Sequence, residues 1–231
     1  MYKEKEESEA VYSLSSALGI FLVSQYPQSY NALIGTGQMI DFAETERMDY
    51  AKAMEIAGKN GDTALVKQLR ANGKPPYYGK NVTWKSAVYL NYLSTYMASN
   101  PEIHYPGYNT LRDIGSTEYG LLDKINFFRG VISTFNDVYP QLYGFDMRTD
   151  YIKLDVPVYF FLGRYDVNAP TVLVEEYEKI LDAPDKRIVW FEHSGHSPWI
   201  NERDQFVKEV VSCFLVKQQR GNGSGFHQKS Y

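Results

Sequence analysis

Two stretches decide how this chain folds: Val156–Asp166, VPVYFFLGRYD, and Arg187–Phe206, RIVWFEHSGHSPWINERDQF. Val156–Leu162 is a continuous apolar run of strand length, and Arg187–Phe191 reads as a second strand. Neither alternates polar with apolar residues, which is the pattern of strands buried on both faces. Between them Thr171–Leu181 has apolar residues at helical spacing. Asp204–Val216 follows as another helix, with Phe206, Val207, Val210, Val211, Phe214 and Leu215 expected to face inward. Asn201, three residues before Asp204, resembles a capping arrangement at its start. Strand, helix, strand, helix with buried strands predicts a parallel α/β layer.

A polar cluster stands just beyond each strand. The first is Gly163-Arg164-Tyr165-Asp166, and the second is His193-Ser194-Gly195-His196-Ser197-Pro198. In an open parallel sheet, ligands and chemistry collect at this carboxyl edge. An aspartate on one loop can accept a hydrogen bond from a histidine on the next, fixing its tautomer and stabilising the imidazolium during proton transfer. Asp166 and His196 fit these roles. His193 is a rival base, but it lies nearer the strand and lacks the preceding glycine that lets a loop turn tightly.

Working outward, Ser13–Tyr26 reads as a helix with Ala17, Leu18, Phe21 and Leu22 on one face, closed by Pro27. Tyr30–Ile34 is a short buried strand ending in Gly35-Thr36-Gly37, too little for a phosphate loop. From Asp41 to Asp150 helices dominate: Glu44–Lys59, a helix capped by Asp62 and running through Ala71, Thr83–Met97, and one sharing Leu121, Leu122, Ile125, Phe128, Ile132 and Phe135 along a face. Many of the 20 tyrosines fall here, as pocket lining or as half-buried packing.

Composition excludes some partners. A net charge of −4 without a basic cluster argues against nucleic acid and anionic membrane. The longest apolar runs, such as Ala17–Val23, are too short to span a bilayer. The charged start, MYKEKEESE, lacks a signal peptide's apolar core, and the single cysteine, Cys213, fits a buried side chain in a reducing, cytoplasmic setting.

The stretch Asp155–Phe206 resembles the C-terminal part of an α/β-hydrolase, of the variety with a helical cap similar to proline iminopeptidases. Ser16–Phe42, SALGIFLVSQYPQSYNALIGTGQMIDF, resembles the helix after that family's nucleophile, the following strand and the start of the cap. The resemblance implies an α/β fold with residues 1–40 and 151–216 as an incomplete hydrolase core, 41–150 as the cap and 217–231 as a disordered tail. It implies Ser13 as nucleophile, Asp166 and His196 completing the triad in the family's chain order, and the Leu14 backbone N–H as an oxyanion donor. No cofactor or metal is implied.

Two departures stand out. The family's nucleophile motif, G-x-S-x-G, has Val11 and Ser15 in place of its glycines. The strands that the family places before the nucleophile are missing, so at most a stub at Glu9–Tyr12 is expected to join three strands. Three readings stay open: a serine hydrolase of esters or peptides, impaired or inactive as this chain alone; half of a split or domain-swapped hydrolase, completed by a second copy or an N-terminal fragment; and a non-catalytic interaction domain. A peptidase of this kind takes a small molecule or short peptide and holds its free amine with acidic cap residues, for which Glu44, Glu46, Asp49, Glu118 and Asp123 are candidates.

Overall fold

The computed structural model describes the backbone of residues 7–12, 14–79, 81–105 and 110–221, with side chains from Ser16 to Cys213 apart from Lys80 and residues 106–111. In chain order these form β1 (Glu7–Tyr12), α1 (Leu14–Gln25) and β2 (Tyr30–Thr36). Helices follow: α2 (Phe42–Lys59), α3 (Thr63–Asn72), α4 (Val82–Ala98), α5 (Thr110–Ile114), α6 (Leu121–Val138) and α7 (Met147–Asp150). The chain then returns to β3 (Val158–Gly163), α8 (Thr171–Ile180), β4 (Lys186–Phe191), α9 (Pro198–Asn201) and α10 (Arg203–Gly221). None of the described helices is long and apolar enough to cross a membrane.

The four strands are parallel, in the order β1-β2-β3-β4. Successive residues of β3 feed opposite faces, as strand geometry requires. Val158, Phe160 and Leu162 join a core with Leu33, Ala17, Ile20 and Val23 of α1, and Leu173, Val174 and Tyr177 of α8. Tyr159 and Phe161 join Ala32, Ile34, Phe191 and Cys213, closed by Phe206 and Val210 of α10. Burying one such phenylalanine contributes about 1.5–3 kcal/mol, so β3 anchors both layers.

Several expectations need correction. β1 is a full strand whose partners run from Glu7↔Tyr30 to Tyr12↔Thr36, because a parallel ladder needs only backbone groups and tolerates polar side chains at an edge. The buried face of α1 is Ala17, Ile20 and Val23, while Leu18 is exposed. On α10, Val207 and Val211 face out, because one stripe of the helix, Phe206 with Val210, suffices to cover the sheet. That helix also continues past Val216 to Gly221; residues 222–231 lie outside the described part.

The helices between β2 and β3 hang from a narrow neck. Asp41 and Asp146 form an antiparallel bridge, flanked by Phe42 N–H to Phe145 O at 3.3 Å and Met147 N–H to Ile40 O at 2.9 Å. Arg148 fastens this neck, reaching Asp41 at 3.0 Å, Glu44 at 2.7 Å, Asp146 at 3.0 Å and Glu176 of α8 at 3.0 Å. Asp41 caps α2 by accepting from Glu44 N–H at 2.8 Å, and Asp62 caps α3 through Leu65 N–H at 3.0 Å. Inside the insertion, Tyr77, Tyr89 and Tyr139 are buried, so tyrosine serves here as core. The apolar stripe along α6 is not core: Leu121 and Leu122 are 75% and 73% exposed, and α6 buries none of its residues.

Candidate active site

The ends of β3 and β4 approach closely because both loops carry glycine where backbones meet. A β-carbon on Gly163 would stand 1.9 Å from the Gly195 carbonyl oxygen and 2.6 Å from that of Ser194. Tyr165 N–H donates to Ser194 O, and Arg164 N–H to Phe191 O, each at 2.9 Å. The two loops therefore run side by side.

Asp166 is held on one side by backbone. Its Oδ1 accepts from Asn168 N–H at 2.9 Å and Ala169 N–H at 3.0 Å, leaving Oδ2 to face His196 Nδ1 at 2.9 Å. The Asp166 side chain is 3% exposed and that of His196 is 19% exposed. Burial works against charge on the His196 ring, but the charge and hydrogen bond of Asp166 outweigh it and raise its pKa above the ordinary imidazole value. With Nδ1–H donated to Asp166, Nε2 keeps the lone pair, the state in which an imidazole takes a proton.

A third strand end backs the pair. Gly37, just after β2, has φ +52° and lies against the His196 ring. Met39 N–H donates to Ser16 Oγ at 3.0 Å, tying this turn to the first turns of α1. Leu14 opens α1, where N–H groups lack intrahelical partners. Ser13 lies outside the described residues, so its position relative to His196 is not part of this geometry.

His193, the rival base, turns away from Asp166. Its ring stacks on His104 at 4.1 Å between centroids, and Nδ1 lies 3.1 Å from the Glu102 carbonyl oxygen. The glycine argument that favoured His196 also needs a different reason. Gly195 is not among the residues with positive φ; what it provides is room, since a β-carbon there would meet Met97 Sδ at 3.1 Å and Ile103 Cδ1 at 3.2 Å.

Glu202 escaped the sequence reading, which gave Asn201 a capping role alone. Glu202 Oε2 accepts from His193 N–H at 2.9 Å and Ser194 Oγ at 2.6 Å. Asn201, expected to cap the last helix, instead accepts from Gly195 N–H at 3.2 Å, and α10 begins beyond it. Their short spacing from His196 was the one available signal.

The acidic candidates sort cleanly. Glu44 pairs with Arg148, Asp123 accepts from Gly120 N–H at α6, and Glu118 is exposed. Glu46 and Asp49, one helical turn apart on α2, are buried. The hydroxyls of Tyr89 and Tyr139 donate to Glu46 Oε2, with Ser86 Oγ at 3.3 Å. Burial raises the Glu46 pKa, and these hydroxyls offset part of the rise. Asp49 is 1% exposed and its Oδ1 has no hydrogen-bond partner. Burial first, then the charges of Glu46 and Asp166, push its pKa well up, so Asp49 favours its neutral form.

No family model matches the chain. It is 25% identical over 206 residues to a probable aminopeptidase of Bacillus subtilis, YbaC, across 87% of this chain and 63% of that protein. Among solved structures it resembles a serine hydrolase involved in carbazole degradation, CarC, with a TM-score of 0.53 at 14% identity, over 94% of this chain and 66% of that one. An α/β-fold hydrolase from Bacillus anthracis aligns with a TM-score of 0.50 at 17% identity, over 88% of this chain and 66% of that one. The chain thus spans less than two thirds of the length of each. Its architecture is an α/β-hydrolase fold, present in part.

Proposed function

We propose that this chain carries the helical cap and the acid–base half of a serine hydrolase that cleaves ester or amide bonds in small substrates bearing a free amine. The observation that carries this reading is the 2.9 Å contact between His196 Nδ1 and Asp166 Oδ2 at adjacent strand ends. In this mechanism Ser13 attacks the carbonyl carbon while His196 Nε2 takes the hydroxyl proton. Asp166 holds the ring and stabilises the imidazolium. The Leu14 N–H, at the positive end of α1, faces the developing oxyanion. The imidazolium then gives its proton to the leaving group, and water, deprotonated by His196, releases the acyl product.

The amine preference rests on Asp49, whose Oδ1 has no hydrogen-bond partner. A buried carboxyl held neutral in this way regains its charge when an ammonium group arrives. The aminopeptidase description of the Bacillus subtilis relative agrees with such a substrate.

A second reading is that catalysis needs further strands beside β1, in a longer chain or a partner. It is favoured by the place of β1 at the sheet edge, hydrogen-bonded to β2 alone among the described strands. Fluorophosphonate labelling of the purified chain, with peptide mapping, tests the first reading. Labelling at Ser13 that vanishes in His196→Ala supports an assembled triad. A folded sample that does not label excludes catalysis by this chain alone and leaves the second reading or a binding role.

A further inference from the structure

The loop carrying His196 is gripped by two consecutive side chains, and one of them also reaches the helical insertion. Glu202 holds His193 N–H and the Ser194 hydroxyl through a single oxygen, Oε2. Asn201 holds Gly195 N–H through Oδ1, and its Nδ2 donates to the Tyr105 carbonyl at 2.8 Å, a residue of the insertion. Ser194, Gly195 and Asn201 are all buried.

The segment after α4 meets the same loop elsewhere. His104 N–H donates to the His193 carbonyl at 2.9 Å, and the Met97 and Ile103 side chains lie against Gly195. Tyr105 itself has φ 60°, a left-handed conformation that non-glycine residues adopt only when their surroundings hold them. Its carbonyl is the group that Asn201 takes. The amide meets both needs from separate atoms, accepting from one backbone group through Oδ1 and donating to another through Nδ2. Aspartate can only accept, and leucine does neither.

We propose that Asn201 is a positioning residue that couples residues 102–105 of the insertion to the His196 loop, so that the seating of the insertion on a substrate and the aim of His196 change together. The proposal rests on the reading of His196 as the base.

The test compares the full-length chain with Asn201→Asp and Asn201→Ala. Amide hydrogen exchange is followed at His104 and Gly195, and turnover of p-nitrophenyl acetate and of an aminoacyl p-nitroanilide is measured. Asn201→Asp keeps the acceptor for Gly195 but sets a carboxylate oxygen against the Tyr105 carbonyl. It is expected to speed exchange across residues 102–105 about tenfold with Gly195 still protected. KM for the anilide is expected to rise about tenfold, with kcat within twofold. Asn201→Ala, which buries no charge, is expected to release both sides and to lower kcat as well. Unchanged exchange at His104 in both variants, or an equal fall in kcat for both, overturns the coupling. A wild-type chain that turns over neither ester nor anilide counts against the reading of His196 as a base, and the exchange measurements still decide whether Asn201 links the two segments.

Discussion

The imidazole of His196 rests on Gly37 so closely that a β-carbon on Gly37 would stand 2.4 Å from Cε1 and 2.9 Å from Nδ1. Gly37 also has φ +52°, where a side chain costs roughly 1–2 kcal/mol on its own. Gly37→Ala is therefore expected to fold with a thermal midpoint lower by several degrees and to tilt the ring off Asp166. Fluorophosphonate reactivity should fall by about 10²-fold, as a misplaced catalytic group implies. Calorimetry and labelling rates check both, and an unchanged rate would show that the ring has slack.

Asp166→Asn removes the cause that raises the His196 pKa and leaves the burial that lowers it. The imidazole should then titrate below its ordinary value, moving the acidic limb of the pH–rate profile down. Turnover at neutral pH should drop by about 10³–10⁴, because an amide no longer fixes the tautomer. The stability effect has a definite sign. A raised imidazole pKa stabilises the fold below the unfolded value and loses that contribution as pH rises through the folded one. The variant should accordingly lose more stability near pH 5 than near pH 9, read by denaturant unfolding at both and by the NMR titration of His196.

Asp49 works the other way. Its carboxyl titrates well above the ordinary range in the fold, so the unfolded chain sheds its proton first as pH rises. From about pH 4 upward this costs the native state stability until the folded value is passed. Asp49→Asn should be close to neutral at low pH and stabilising near pH 8, by about 1 kcal/mol or roughly 2–4 °C in Tm. The same variant should weaken inhibition by free amino acids if the ammonium reading holds.

Two glycines should respond to alanine with opposite signs. At Gly163 the new β-carbon meets backbone, not a movable side chain, and the loops of Asp166 and His196 must part. A loss of about 3 kcal/mol is expected, at the upper end of overpacking costs. At Gly58, exposed in α2 with no atom within 4 Å of the added carbon, alanine should stabilise by about 0.5–1 kcal/mol. Paired unfolding curves settle both.

What the sequence disclosed was local. Val156–Leu162 read as a strand because the burial of β3 on both faces leaves an apolar run. Arg187–Phe191, at the sheet edge and half-buried up to Phe191, read as one from its β-branched and aromatic residues. Asp166 and His196 stood out because each follows such a strand, and parallel topology brings neighbouring strand ends together. Faces chosen by distant packing were harder. Leu18, Val207 and Val211 share helices with core residues and differ only in which side the sheet occupies. Asn201 could not be read, since its partner Tyr105 lies 96 residues away. Glu46 is similar: its hydroxyl donors come from 40 to 93 residues distant, and nothing near it marks it as buried.

The bridge between Asp41 and Asp146 carries a consequence for how such a molecule can vary. Everything from Phe42 to Phe145 leaves and rejoins the sheet at one closed point. Closing a segment there costs free energy that grows only with the logarithm of its length. The intervening helices can therefore be lengthened, trimmed or exchanged while β2 and β3 keep their register and Asp166 keeps its histidine. An insertion of another shape would leave the Asp166–His196 contact in place, provided it renewed the apolar packing against the sheet and the contacts that Met97 and residues 102–105 make with the His196 loop.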